Sequence, residues 1–218
     1  MKRVRLLVAQ LFAAFIDSFV MAKIAVGFRV KSGWAAAIVL SGPSSSPSVL
    51  HARQIELSDP SVPESRQPFH AVDDAQGDLE PDEAQVKKRV QVVRHVAEQS
   101  IGHLLTDCRA NGWNPQRAGI VSGSLVEPST IHAPHIRAHA MEGRLFRTVV
   151  EDAVQAHGLS CVVLGEKTAF GAAARQTNLD ERTLKRTLVS LGRHVEGPWR
   201  AEEKLAALAA WVAVSEKS

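Results

Sequence analysis

Three apolar, β-compatible runs lie close together at residues 23–30, 34–40 and 49–57, and no other feature of the chain restricts its fold as much. The first two are joined by the tight Lys31-Ser32-Gly33 turn, where the glycine supplies the backbone freedom that a hairpin needs. The third, VLHARQIEL, follows the flexible SGPSSSPS link. Three consecutive strands with short connections predict an antiparallel meander.

Beyond the meander the pattern alternates. Residues 58–83 are rich in proline and acid and lack period, which predicts a long loop that is either functional or mobile. A helix is expected from Glu83 to about Ala110, with Asp82 as N-cap and an apolar face through Val86, Val90, Val93, Ala97, Ile101, Leu104 and Cys108. Asn111-Gly112 stops it. RAGIVSGSL, residues 117–125, reads as a fourth strand, and Pro134 opens a long helix that Gly158 ends near His157. SCVVLGE, residues 160–166, is a fifth strand. Asn178 and Glu181 form a capping-box-like pair for a helix over 179–191, closed by Gly192, and a last helix runs from about Ala201 to Val214. The order β-β-β-α-β-α-β-α-α predicts an α/β protein with a mixed five-stranded sheet and helices on both faces. No internal repeat is visible.

At 218 residues and 45% hydrophobic content the chain can bury a full core as one domain, expected over residues 23–218, with residues 1–22 as an extension outside the fold. That extension has a basic opening and an apolar run from Leu6 to Phe15, which is broken by Asp17 and too short to span a bilayer. Three readings are open for it, in this order: Met21 is the real start, the segment is a poorly anchored amphipathic helix, or it is a signal peptide cut near Val20-Met21-Ala22. Cys108 and Cys161 stand far apart in apolar patterns with no CxxC, so two reduced core cysteines in a cytoplasmic, non-membrane protein are expected. The net charge of +3 neither demands nor excludes a nucleic-acid partner. The absence of tyrosine and the 5% aromatic content leave few residues for stacking on bases.

VKSGWAAAIV (Val30–Val39), the helix with HAMEGRLF and the last helix EEKLAALAAW follow one another in an order similar to the resolvase branch of the ribonuclease H-like fold. That fold is shared by ribonucleases H, Holliday-junction resolvases and actin-like ATPases, and the resemblance covers roughly residues 23–215. The chain also resembles a bacterial family of unassigned activity that has GFR…SGWA near one end and GPW…KLAALAAW near the other and lacks the first-strand aspartate. The nuclease resemblance implies two divalent cations on three or four carboxylates, one of them in the first strand, because Mg²⁺ takes hard oxygen ligands. Here residues 23–40 contain no Asp or Glu, and the diagnostic stretch is Val26-Gly27-Phe28-Arg29. Arg29, Lys31 and Ser32 are therefore candidate ligand-binding residues: a cationic end repels Mg²⁺ and attracts phosphate, carboxylate or an acidic patch. The competing reading for Arg29 and Lys31 is an ordinary solvated turn.

Glu202 and Glu203 open the last helix where resolvases carry their final acids, though the helix dipole alone also favours acids there. His135, His139 and Glu142 fall at i, i+4 and i+7 and share one helical face. Such a set can bind Zn²⁺ or Fe²⁺ if further ligands arrive, and His70 and His132 are available. The pattern is not HExxH, and the favoured expectation is histidines that hydrogen-bond across a domain surface, with no metal ligand assigned. Ser122, Gly123 and Ser124 could cradle a phosphate, although GxxxxGK[ST] and G-x-S-x-G are both absent. The candidates are thus Glu142, Glu202 and Glu203 for catalysis and Arg29, Lys31, Ser32, His135 and His139 for ligand binding. Cofactor and oligomeric state are left open. Two functions compete: a ribonuclease H-like protein with a degenerate or rebuilt nuclease centre that binds nucleic acid or another anionic ligand, and a non-catalytic module that binds a protein partner through the 58–83 loop. An actin-like phosphotransferase fragment ranks below both, since the glycine-rich adenosine loop is missing.

Overall fold

The computed structural model describes residues 23–216 apart from residue 44 and residues 72–77, so the expectations for residues 1–22 lie outside the described residues. β1 (Ile24–Lys31), β2 (Trp34–Ser41) and β3 (Ser48–Glu56) form the antiparallel meander. β4 (Arg117–Ser122) then pairs parallel with β1, and β5 (Ser160–Gly165) parallel with β4, so the sheet order is β3-β2-β1-β4-β5. The parallel pairs need long crossovers. α1 (Glu83–Ala110) and α2 (Pro134–Ala156) provide them, and three more helices follow: α3 (Ala169–Thr177), α4 (Glu181–Leu191) and α5 (Ala201–Ser215).

The alternation of side chains along β1 divides the core between two faces. Val26, Phe28 and Val30 pack with Val93, Ile101 and Leu104 of α1 and with Phe146 and Val150 of α2. Ala25 lies on the other face with Ile38 and Leu40 of β2, the apolar length of α5, and Leu184 and Leu188 of α4. Helices therefore cover both faces. α5 is buried continuously from Ala206 to Val214 because the sheet lies under it and α3 and α4 lie against it. Gly27 and Gly119 permit that closeness: a Cβ on Gly27 would collide with the Ala206 carbonyl and the Ala210 amide, and one on Gly119 with the Ala209 carbonyl.

Two local expectations need correction. The helix order contains one more element than expected, α3, and the cap of α4 is Asp180, whose carboxylate accepts from the Thr183 amide. Asn178 instead ends α3 in the left-handed conformation (φ 56°), which asparagine tolerates better than most side chains. Asp82 caps α1 as expected, accepting from the Ala84 and Gln85 amides.

The described parts of the 58–83 segment form a strap that α1 holds down. Arg89, buried in α1, donates to the carbonyls of Pro68 and His70 and to the Glu80 carboxylate, and His70 and Leu79 pair as an isolated β-bridge. Cys108 and Cys161 are free thiols. No helix among the described residues is long and apolar enough to cross a membrane.

Candidate functional site

The parallel strands β1, β4 and β5 end side by side, and the N-terminal half of α2 closes over the ends of the first two. Between them lies a crevice of about 200 Å³, lined among others by Arg29, Lys31, Ser32, Ser122, Ser124 and His139. None of its lining residues is acidic. Arg29, on the α5 face of β1, is 4% exposed and directs its guanidinium at the Glu166 carboxylate just beyond β5, with a second donation to the Val30 carbonyl. Its Nε is buried without a partner. The charge of Arg29 is thus met inside the fold, whereas half-buried Lys31 forms no ion pair among the described residues. Ser122 is buried at the end of β4, and Gly123 and Ser124 are exposed beyond it.

Beside the crevice, α2 and the strap build a second group. Glu142 is completely buried, with one carboxylate oxygen 2.6 Å from His70 Nδ1 and the other 3.5 Å from His139 Nδ1. Nε2 of His139 lies 3.2 Å from Nε2 of His135. One ring nitrogen from each of His70, His135 and His139 falls within 4.8 Å of the other two, and His132 stands outside the group. Burial pushes the Glu142 carboxyl up to about 7 against the opposing charge of His139 and His135. Burial also lowers His70, and the neighbouring His135 lowers it further. Both shifts favour an uncharged pair that shares one proton between Nδ1 and the carboxylate.

Of the residues singled out from sequence, Arg29, Lys31, Ser32 and His139 line one crevice, and His135 and Glu142 adjoin it. Glu202 and Glu203 do not join them. They open α5, which packs on the face of the sheet opposite α2, and Glu203 is engaged locally, accepting from the Arg200 amide at 2.7 Å. His70 reads from sequence as an available further ligand, and the structure brings it to the group. Glu166, the residue just after β5, has no role in that reading, and its only signal is its position at the strand end.

No family model matches the chain, and no curated protein does. Among solved structures, RuvC of T. thermophilus in complex with Holliday junction substrate is 12% identical, with a TM-score of 0.48 over 87% of this chain and 91% of that one. A second Thermus thermophilus RuvC structure is also 12% identical, with a TM-score of 0.49 over 87% and 92%. The yeast mitochondrial Holliday junction resolvase Ydc2 is 8% identical, with a TM-score of 0.44 over 88% and 79%. The fold is α/β, with the mixed five-stranded sheet and two covered faces that the order of elements predicts. The carboxyl end of the first strand carries an arginine where the resemblance seen in the sequence implies a metal-binding acid.

Proposed function

We propose that the crevice receives a phosphate-bearing ligand, nucleic acid in the first place, and holds it without two-metal cleavage. The observation that carries this reading is the lining: basic and hydroxyl side chains with no acid among them. Lys31 supplies the charge, and the hydroxyls of Ser32, Ser122 and Ser124 supply donors for phosphate oxygens. Two carboxylates beside the crevice are both engaged, Glu166 by Arg29 and Glu142 by His70. Two bridged Mg²⁺ ions need several converging hard oxygens, and a buried guanidinium among them raises the energy of any such pair.

The test is fluorescence anisotropy of labelled branched and duplex DNA across a salt series. Binding should weaken steadily as salt rises, since phosphate contacts release counterions. Lys31→Glu should reduce affinity by about tenfold or more, a change of about 1.4 kcal/mol. Absent binding, or binding indifferent to both salt and Lys31→Glu, would overturn the proposal.

A further inference from the structure

The crevice leaves unexplained why a buried carboxylate should organise three imidazoles at its edge. We propose that His70, His135 and His139 form a binding site for one divalent first-row transition-metal ion of the Zn²⁺ class, with Glu142 as the carboxylate that orients the rings. This does not rest on the phosphate reading and replaces the expectation, drawn from sequence, of no metal ligand in this helix.

Three observations converge. The ring nitrogens are close enough: one from each histidine lies within 4.8 Å of the other two. Ligands about 2.0–2.1 Å from a tetrahedral zinc stand about 3.3 Å apart, and the Nε2 atoms of His135 and His139 are separated by 3.2 Å. Glu142 hydrogen-bonds His70 Nδ1, the support that metal-bound imidazoles commonly have, and its other oxygen, buried and without a hydrogen bond, lies 3.5 Å from His139 Nδ1. With an ion bound, the ionised Glu142 carboxylate accepts a hydrogen bond from Nδ1–H, which fixes the tautomer and frees the Nε2 lone pair for the metal, so the uncharged pair releases one proton on binding. His70 Nε2 is buried and without a hydrogen-bond partner. An alternative occupant of this space, a simple hydrogen-bonded histidine surface, accounts for the His135–His139 contact but leaves His70 Nε2 unsatisfied.

The local folding explains how the set forms. His135 and His139 are one helical turn apart on α2, and Glu142 follows less than a turn later on the same face. His70 comes from the strap, which Arg89 pins through the His70 carbonyl itself. Three protein nitrogens leave a fourth tetrahedral position for water or a ligand atom. Because His139 also lines the crevice, an ion held here would border the ligand space.

Isothermal titration of the metal-stripped full chain with Zn²⁺, repeated with Co²⁺ and monitored by absorbance, tests the site. The expected result is one ion per chain and an intense cobalt spectrum of tetrahedral type. Glu142→Gln should weaken binding about 10- to 100-fold, as loss of an orienting partner does, and His139→Ala should weaken it further. His70 is buried, so His70→Ala could unfold the chain. His135 and His139 are exposed, and their alanine variants, shown by circular dichroism to keep the wild-type melting curve, keep the test decisive. Absence of saturable Zn²⁺ binding, or binding of unaltered affinity in both His135→Ala and His139→Ala, would overturn the proposal.

Discussion

Arg29 gives the end of β1 its character, and the surroundings of its ion pair decide what each partner contributes. The guanidinium is almost wholly buried, while the Glu166 side chain is 44% exposed. Removing the carboxylate strands a buried charge, whereas removing the guanidinium returns a carboxylate to water. Glu166→Ala should therefore cost about 3 kcal/mol or more, and Arg29→Met, which keeps most of the volume, less than about 1.5 kcal/mol. Chemical denaturation of both variants checks the asymmetry, and equal costs would count against it. Cys161 offers a second test. Burial and the nearby charges of Glu151 and Glu216 push its thiol up to about 12 from 9.0. Over that window the unfolded chain is a thiolate while the folded chain still holds its proton, so stability falls as pH rises from 9.0 towards 12. Cys161→Ala should flatten that decline, and native Cys161 should alkylate far more slowly than the denatured thiol at pH 8. The cation at position 29 was legible in the sequence because it interrupts an apolar strand. Its partner was not, because Glu166 lies 137 residues away and parallel strand pairing leaves no local spacing to read.

Among the elements, α5 is the one that most depends on small residues beneath it. Gly27 and Gly119 stand on neighbouring strands, paired with each other in the β1–β4 register, and both lie directly under the helix backbone. Gly27→Ala or Gly119→Ala forces backbone against backbone, which no rotamer change relieves, and should cost about 3 kcal/mol or more. Thermal unfolding measures this, and a melting temperature within a degree of wild type would show that α5 does not sit on these glycines. The strands and the long helices were readable because their apolar residues recur with clear periods. α3 is hard to read from sequence because Ala169–Thr177 is only nine residues long, lacks a side-chain N-cap and has Gly171 inside it. Without α3 the next boundary shifts, and Asn178 reads as the start of α4, whereas it ends the helix before.

In the whole molecule, three parallel strand ends, a helix and a pinned strap converge on one edge of the sheet, and the candidate site is gathered there. The meander and the alternation that follows it made the mixed five-stranded sheet and its two covered faces predictable, because short connections and crossover helices leave few topologies. The site was only partly predictable. Residues of α2 that share a face stayed together, but Glu142 and the acids of α5 are parted by the sheet itself. The charge of the crevice governs what it can do: its lining holds Lys31 and hydroxyls and no acid. A cleavage assay on branched DNA, RNA–DNA hybrid and single-stranded substrates, with Mg²⁺ and then Mn²⁺ titrated over the purified full chain, measures that consequence most directly. The account predicts salt-sensitive binding with every substrate recovered intact. Mg²⁺-dependent cleavage that Glu142→Gln or Glu202→Gln abolishes would contradict it.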